Sequence, residues 1–208
     1  MGCLDRRLQE VEALTQELRQ IDRTTVERTI SNRYDFTPIA SCADVTALRN
    51  PVPLPEKPEI RARVEALHRE LAELKAREFV GKYAEILPMA RTTVQTARAL
   101  HYGPAEAEAT FVLGILEFRN RDVTSAERDL RQAAELALSS RHIVILARAL
   151  TVLHHIAGVL RGKYEQAALL KQLAAAAIKA DGEAARFSPQ LLSDSCVVAS
   201  SQKLYFEA

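Results

Sequence analysis

The sequence predicts an all-α fold, an antiparallel helix-hairpin solenoid preceded by an N-terminal helical unit. Three observations predict it. The first is a recurring turn: Gly81-Lys82-Tyr83, Arg121-Asp122-Val123, Gly162-Lys163-Tyr164 and Lys203-Leu204-Tyr205 begin at positions spaced 40, 41 and 41 residues apart. Five residues after each turn stand Ile86, Ala126, Ala167 and Ala208 with the same spacing. A fixed period in this range marks repeats that must stack, because one helical hairpin cannot bury its own apolar face. The second is composition: alanine and leucine dominate, tryptophan is absent and there are only 7 glycines, with few β-branched or aromatic runs to build sheets. The third is apolar spacing in steps of three and four, the mark of amphipathic helices.

Helix one is expected from about Cys3 to Ile21, where Leu4, Leu8, Val11, Leu14, Leu18 and Ile21 form a narrow seam suited to one partner helix. Thr24 and Glu27 read as a capping box that opens a second short helix, with Val26, Ile30 and Tyr34 on one face. Ser41 to Arg49 adds one or two further turns. Asn50-Pro51-Val52-Pro53-Leu54-Pro55 cannot be helical, since its prolines lack amide hydrogens and hold their neighbours extended. This connector, residues 51–57, separates an N-terminal helical unit (1–50) from the repeats (58–208).

After Pro58, a helix with Ile60, Val64, Leu67, Leu71 and Leu74 on one stripe is the natural antiparallel partner of helix one, the first repeat helix, or both. Helices then follow over roughly 58–80, 83–101, 104–119, 123–140, 142–160, 164–180 and 188–202. Proline at 104 suits a helix start and Gly182 a helix end. That gives three complete repeats and a fourth cut short, so the chain reads as a piece of a longer array. Leu191, Leu192, Val197 and Val198 would lack a covering helix, which predicts self-association through the carboxy-terminal end.

Charge and motifs narrow the function. The 28 basic and 27 acidic residues cancel without a basic stripe, which argues against nucleic acid as a partner. The most apolar stretch, Ile143 to Leu160, carries Arg148, Thr151, His154 and His155, so membrane insertion by this chain is not expected. Arg6 stands where an N-myristoylation signal needs Ser or Thr, and no apolar core of a signal peptide follows it. No G-x-S-x-G or G-x-G-x-x-G occurs, nor any CxxC. His154 and His155 are adjacent and point about 100° apart on a helix, a poor arrangement for one metal ion. Glu10, Glu12, Glu17, Glu106 and Glu108 alternate with basic residues and read as a solvated face. No catalytic residue, cofactor or metal site is expected.

The G-x-Y-x-x-A turn resembles the junction between the paired helices of a tetratricopeptide repeat. The period exceeds that family's usual length, as in longer-helix variants of bacterial signalling proteins. The resemblance implies a small residue seven positions before each turn, filled by Gly114 and Cys196 but occupied by His155 in the third repeat. It also implies that Phe111, Ile115 and Phe118, matched by Val152, Ile156 and Val159 at an offset of 41, face the concave groove. Three readings of these six stay open. They line an apolar groove for a protein or amphipathic helical peptide, the long helices bury them against each other, or helix one covers them.

The order CLDRRL (Cys3 to Leu8), SCADVTALRNPVPLPEKPEIRARVEAL (Ser41 to Leu67) and GKYAEI is similar to the carboxy-terminal region of myxobacterial-type serine/threonine protein kinases. In that family a kinase domain and a membrane-spanning helix precede such a region. The chain itself lacks the glycine-rich loop, V-A-I-K lysine, H-R-D and D-F-G groups that phosphoryl transfer needs. The resemblance therefore implies a regulatory or sensory module whose catalysis lies elsewhere. A kinase with activity in other sequence, and the repeat arm of a transcription regulator, are the alternatives. A free-standing chain would be cytoplasmic, and the kinase layout implies the extracytoplasmic side. On the latter side Cys3 and Cys42 could pair in a disulfide across the N-terminal unit, and in a reducing compartment they would be two ordinary thiols.

Overall fold

The computed structural model describes residues 3–22, 25, 26, 29, 39–43 and 55–206. The capping box at Thr24 and Glu27, the face with Ile30 and Tyr34, the turns from Asp44 through Arg49 and the connector from Asn50 to Leu54 lie outside them. Among the described residues the fold is wholly helical, with eight α-helices and no strand: α1 (Cys3–Leu18), α2 (Pro58–Phe79), α3 (Tyr83–Ala99), α4 (Gly103–Arg119), α5 (Val123–Ser139), α6 (Ile143–His155), α7 (Tyr164–Ala180) and α8 (Ser188–Phe206). A π turn (Ile156–Leu160) extends α6, and 3-10 turns lie at Ile39–Ala43 and Ala184–Phe187.

The links from α2 to α7 share one construction. Each is three residues long with its middle residue in the left-handed region: Gly81 (φ 85°), His101 (50°), Arg121 (64°), Arg141 (59°) and Gly162 (63°). Helix ends favour such a residue because it turns the next amide back onto an orphan carbonyl. Accordingly Lys82 donates to the Arg77 carbonyl (3.1 Å), Asp122 to Glu117 (2.9 Å) and His142 to Ala137 (2.8 Å). The true unit is therefore a single helix plus link, stepping 20, 20, 20 and then 21 residues between left-handed positions. The odd residue is absorbed by the π turn, and there Lys163 reaches back six residues, to the Ala157 carbonyl (2.8 Å).

Packing follows sequence order. Successive helices from α2 to α8 pack on one another, and the even-numbered helices also meet each other, α2 with α4, α4 with α6 and α6 with α8. One continuous apolar core runs from Val64 and Leu67 through Leu116, Leu130 and Ile156 to Phe187 and Val198. Gly114 sits where a Cβ would fall 2.9 Å from Leu130, so its lack of side chain sets how closely α4 approaches α5. Gly158 plays the same part in the π turn, where a Cβ would lie 2.5 Å from Val198 of α8.

Several expectations change. The stretch Lys203-Leu204-Tyr205 is no turn, because α8 continues through Phe206 and no glycine there supplies a left-handed residue. Helix α1 packs on α2 in the same direction, not antiparallel. Glu17 near its end binds Arg77 and Lys82 near the end of α2 (3.0 and 2.9 Å), while Arg6 near its start lies level with His68 through their shared partner Glu108. Of its seam only Leu14 is buried; Leu4, Leu8, Val11 and Leu18 are exposed. The window Ile143–Leu160 is long and apolar enough to cross a bilayer by length and composition, and 56% of it is buried among neighbouring helices.

Candidate functional site

The layer of even-numbered helices crosses every repeat, and its polar contacts run from helix to helix. At the amino-terminal end, Glu108 of α4 is almost fully buried and receives Lys75 Nζ of α2 at 2.9 Å and an Arg6 guanidinium nitrogen of α1 at 3.0 Å, with His68 Nε2 at 3.6 Å. Burial pushes its carboxyl up, but Lys75 and Arg6 outweigh that and hold it well below the usual carboxylate range. Burial lowers His68 to about 4, helped by the Arg6 charge, and lowers His142 to about 4. Burial also raises the Tyr102 hydroxyl. At neutral pH the cluster is thus one carboxylate, two cations and two uncharged imidazoles. Such a group fixes α1, α2 and α4 in register.

Two rungs follow along the same layer. Arg148 of α6 lies over Phe111 of α4 at 4.6 Å and over Phe187 at 5.3 Å, while Arg186 covers Phe187 from 4.7 Å. Next, Phe118 of α4 meets His155 of α6 edge-on at 6.0 Å, and His155 Nδ1 lies 3.3 Å from Asp194 Oδ1 of α8. Behind this rung His154 is buried, its Nδ1 2.9 Å from the Ala167 carbonyl, so that nitrogen carries the proton, and its Nε2 faces the Ser195 hydroxyl at 3.4 Å. His154 is thereby a tie between α6, α7 and α8.

These contacts redraw the six-residue apolar strip. Phe111 is sealed beneath Arg148, and Ile156 is buried in the π turn, so neither lines an open groove. Ile115, Phe118, Val152 and Val159 are half-buried, packed on the core with one edge outward. Helix α1 reaches this layer at Glu108 rather than across the strip. Cys196, placed by the resemblance at a small buried position, is exposed with a free thiol. Cys3 and Cys42 are joined in a disulfide, with Cα atoms 5.5 Å apart, which ties the 3-10 turn at Ile39–Ala43 to the start of α1.

In the sequence Glu108 reads as part of a solvated face, yet it is buried. The signal against that was its register, because 108, 111, 115 and 118 lie on one helical face, which puts a carboxylate in line with three apolar side chains. A second carboxylate also went unseen. Glu117 of α4 is buried with Oε2 unpartnered, and Arg91 approaches Oε1 only to 3.9 Å. Burial and then the charge of Asp129 on α5 raise Glu117 to about 7. Asp129 is itself clasped by Arg128 at 2.7 and 3.1 Å.

A cleft of about 520 Å³ lies between the end of α7 and the start of α8, is open to solvent and is lined chiefly by Ala175, Ile178, Ala185, Leu191 and Leu192. Among the described residues, no group of three His, Cys, Asp or Glu side chains could hold a metal ion. No family model matches the chain, and neither a curated protein nor a solved structure matches it.

Proposed function

We propose that the chain is a non-catalytic helical-repeat module for protein–protein interaction, a helix-hairpin solenoid of the tetratricopeptide type. The observation that carries this reading is the constant helix-plus-link unit, whose alternate helices touch one another and so make one extended surface. Surfaces of this kind recognise partners by shape over several repeats, with a few anchors supplying most of the energy. Here the anchors are the outward edges of Phe118, Ile115, Val152 and Val159, beside Arg148 and the His155–Asp194 pair. The partner is a protein segment or an amphipathic helical peptide.

The similarity of CLDRRL and SCADVTALRNPVPLPEKP to myxobacterial-type kinases favours a regulatory or sensory role in a kinase-type signalling protein. A disulfide at Cys3–Cys42 persists only where thiols are not kept reduced, which favours the extracytoplasmic side. Two measurements test the reading. Phe118→Ala and Val152→Ala should each weaken capture of an interacting protein by about tenfold with helicity unchanged, while Arg98→Ala on α3 should not. Calorimetry with magnesium nucleotide should give no heat of binding; saturable binding would overturn a non-catalytic role.

A further inference from the structure

The odd-numbered helices provide an internal comparison. At matching positions in the repeat, α3 carries Pro88, Thr92, Gln95 and Ala99, and α5 carries Arg128, Gln132, Glu135 and Ser139. In α7 the same positions are Leu169, Leu173, Ala176 and Ala180. Leu169 and Leu173 stand 57% and 47% exposed, on a face that the two earlier repeats keep mostly polar. Beside it on α8, Leu192 is 64% exposed, and Val197 is 43% exposed on the opposite flank, whereas Leu191 and Val198, expected to be uncovered with them, are buried against the core. The greasy surface thus centres on α7 rather than on the tip of α8.

The exposed charges along this helix are Glu165, Lys179 and, on the flank beside Gln172, Lys171. Glu165 lies at its start and Lys179 at its end, both exposed, fourteen residues and roughly 21 Å apart at 1.5 Å per residue, which is almost four whole turns and so the same side of the helix. Their midpoint is Gln172. We infer that this face binds a second copy of the chain, α7 packing antiparallel on the partner's α7 about a twofold axis near Gln172. In that arrangement each Glu165 meets the partner's Lys179, Leu169 lies level with the partner's Ala175, and Leu173 lies close to the axis. A parallel pairing would set Glu165 against Glu165 and Lys179 against Lys179, so the charges select one orientation. The small side chains of Ala168, Ala175 and Ala176 let the two helices approach closely. The contact differs from the even-helix surface of the proposed function and leaves that surface open in both copies. One helix pair with fringes from α8 is a small interface, which predicts a reversible dimer rather than a permanent one.

Sedimentation velocity over a concentration series, with Cys196→Ser to exclude an intermolecular disulfide, tests this. The expected result is a monomer–dimer equilibrium with a midpoint on the order of 10 μM. Glu165→Lys and Lys179→Glu should each weaken dimerisation about tenfold or more, and the double reversal should return it to within about threefold of the starting value. Leu173→Glu should leave monomer only, with unchanged helicity because the side chain is exposed. A monomer at about 0.5 mM, a dimer abolished by Cys196→Ser, or a dimer indifferent to both charge reversals would each overturn the inference.

Discussion

The unpartnered carboxylate between α4 and α5 predicts a pH dependence that a single substitution should erase. Glu117 is held at about 7 against an ordinary 4.5, first by burial and then by Asp129 across the hairpin, with Asp122 adding in the same sense and Arg128 opposing. Below pH 4.5 the group carries a proton in both folded and unfolded chains and imposes no pH-dependent cost. Between 4.5 and 7 the unfolded chain releases the proton while the folded chain keeps it, so stability falls as pH rises. Above 7 the folded chain must hold a buried carboxylate beside Asp129, and the loss is complete. The full shift corresponds to about 3 kcal/mol, and rearrangement of the folded chain around the charged form brings the expected loss to about 2 kcal/mol. Glu117→Gln keeps the shape and a hydrogen-bond donor toward Asp129 but cannot ionise. It should match the parent near pH 4.5 and exceed it by about 2 kcal/mol at pH 8, measured by urea unfolding followed by circular dichroism. Subtracting the two profiles removes the titration of Glu108, His68 and His142, which both proteins share. Asp129→Asn should flatten the parent profile partway. A difference between Glu117→Gln and parent that stays constant from pH 4.5 to 8 would refute the reasoning.

Four further outcomes follow from the packing. Glu108→Gln leaves the half-buried Arg6 and Lys75 without their carboxylate and should cost about 2–3 kcal/mol in thermal or urea unfolding, whereas replacing all three by apolar residues should cost far less. Arg121→Gly relieves a left-handed residue and should stabilise by about 0.5–1 kcal/mol, while the same exchange at Arg128 inside α5 should destabilise by a similar amount. Gly158→Ala should lose about 1–3 kcal/mol through collision with Val198, and Val198→Ala in the same chain should recover most of it. Reducing Cys3–Cys42 removes a cross-link over 39 residues and should lower stability by roughly 3–4 kcal/mol, read as a shift in the unfolding midpoint with and without reductant.

The recurring turn was legible because two of its copies use glycine, the residue that reaches positive φ without strain. The finer step of about 20 residues was hidden because His101 and Arg141 hold the same backbone conformation without glycine, and nothing in their side chains announces it. Helix positions from α2 to α7 follow from apolar spacing and the turn signals, although α4 has no single stripe and is buried on every side from Ala107 to Gly114. The direction of α1 could not be read that way. Its only buried seam residue is Leu14, and Arg6 and Glu17 bind residues from 60 to 102 positions away, beyond any local pattern. The apolar strip on α4 and α6 was half legible for a related reason. Periodicity assigns a residue to a face, but whether that face is open depends on a side chain from the next repeat, and Arg148 covers Phe111.

The difference between a spacing of 40 and one of 41 carries structural meaning. Repeats that differ by one residue must either lengthen a link or insert the residue into a helix, and this chain does the latter, at Ile156–Leu160. Insertion there widens the last turn of α6, so its closing bond spans six residues instead of five, and it leaves the next link unchanged in length and in its left-handed middle residue. The widened turn is where Gly158 admits Val198 and where His154, one turn earlier, reaches both Ala167 and Ser195. The irregularity therefore coincides with the seat of α8, where the uniform succession of links gives way to the 3-10 turn at Ala184–Phe187. A chain with Val159 deleted should recover a regular helix end yet lose the seat for Val198. Loosening would then show as faster amide exchange confined to α8, with α2 to α5 protected as before. Uniform loss of protection along the array would mean instead that the π turn supports the whole stack.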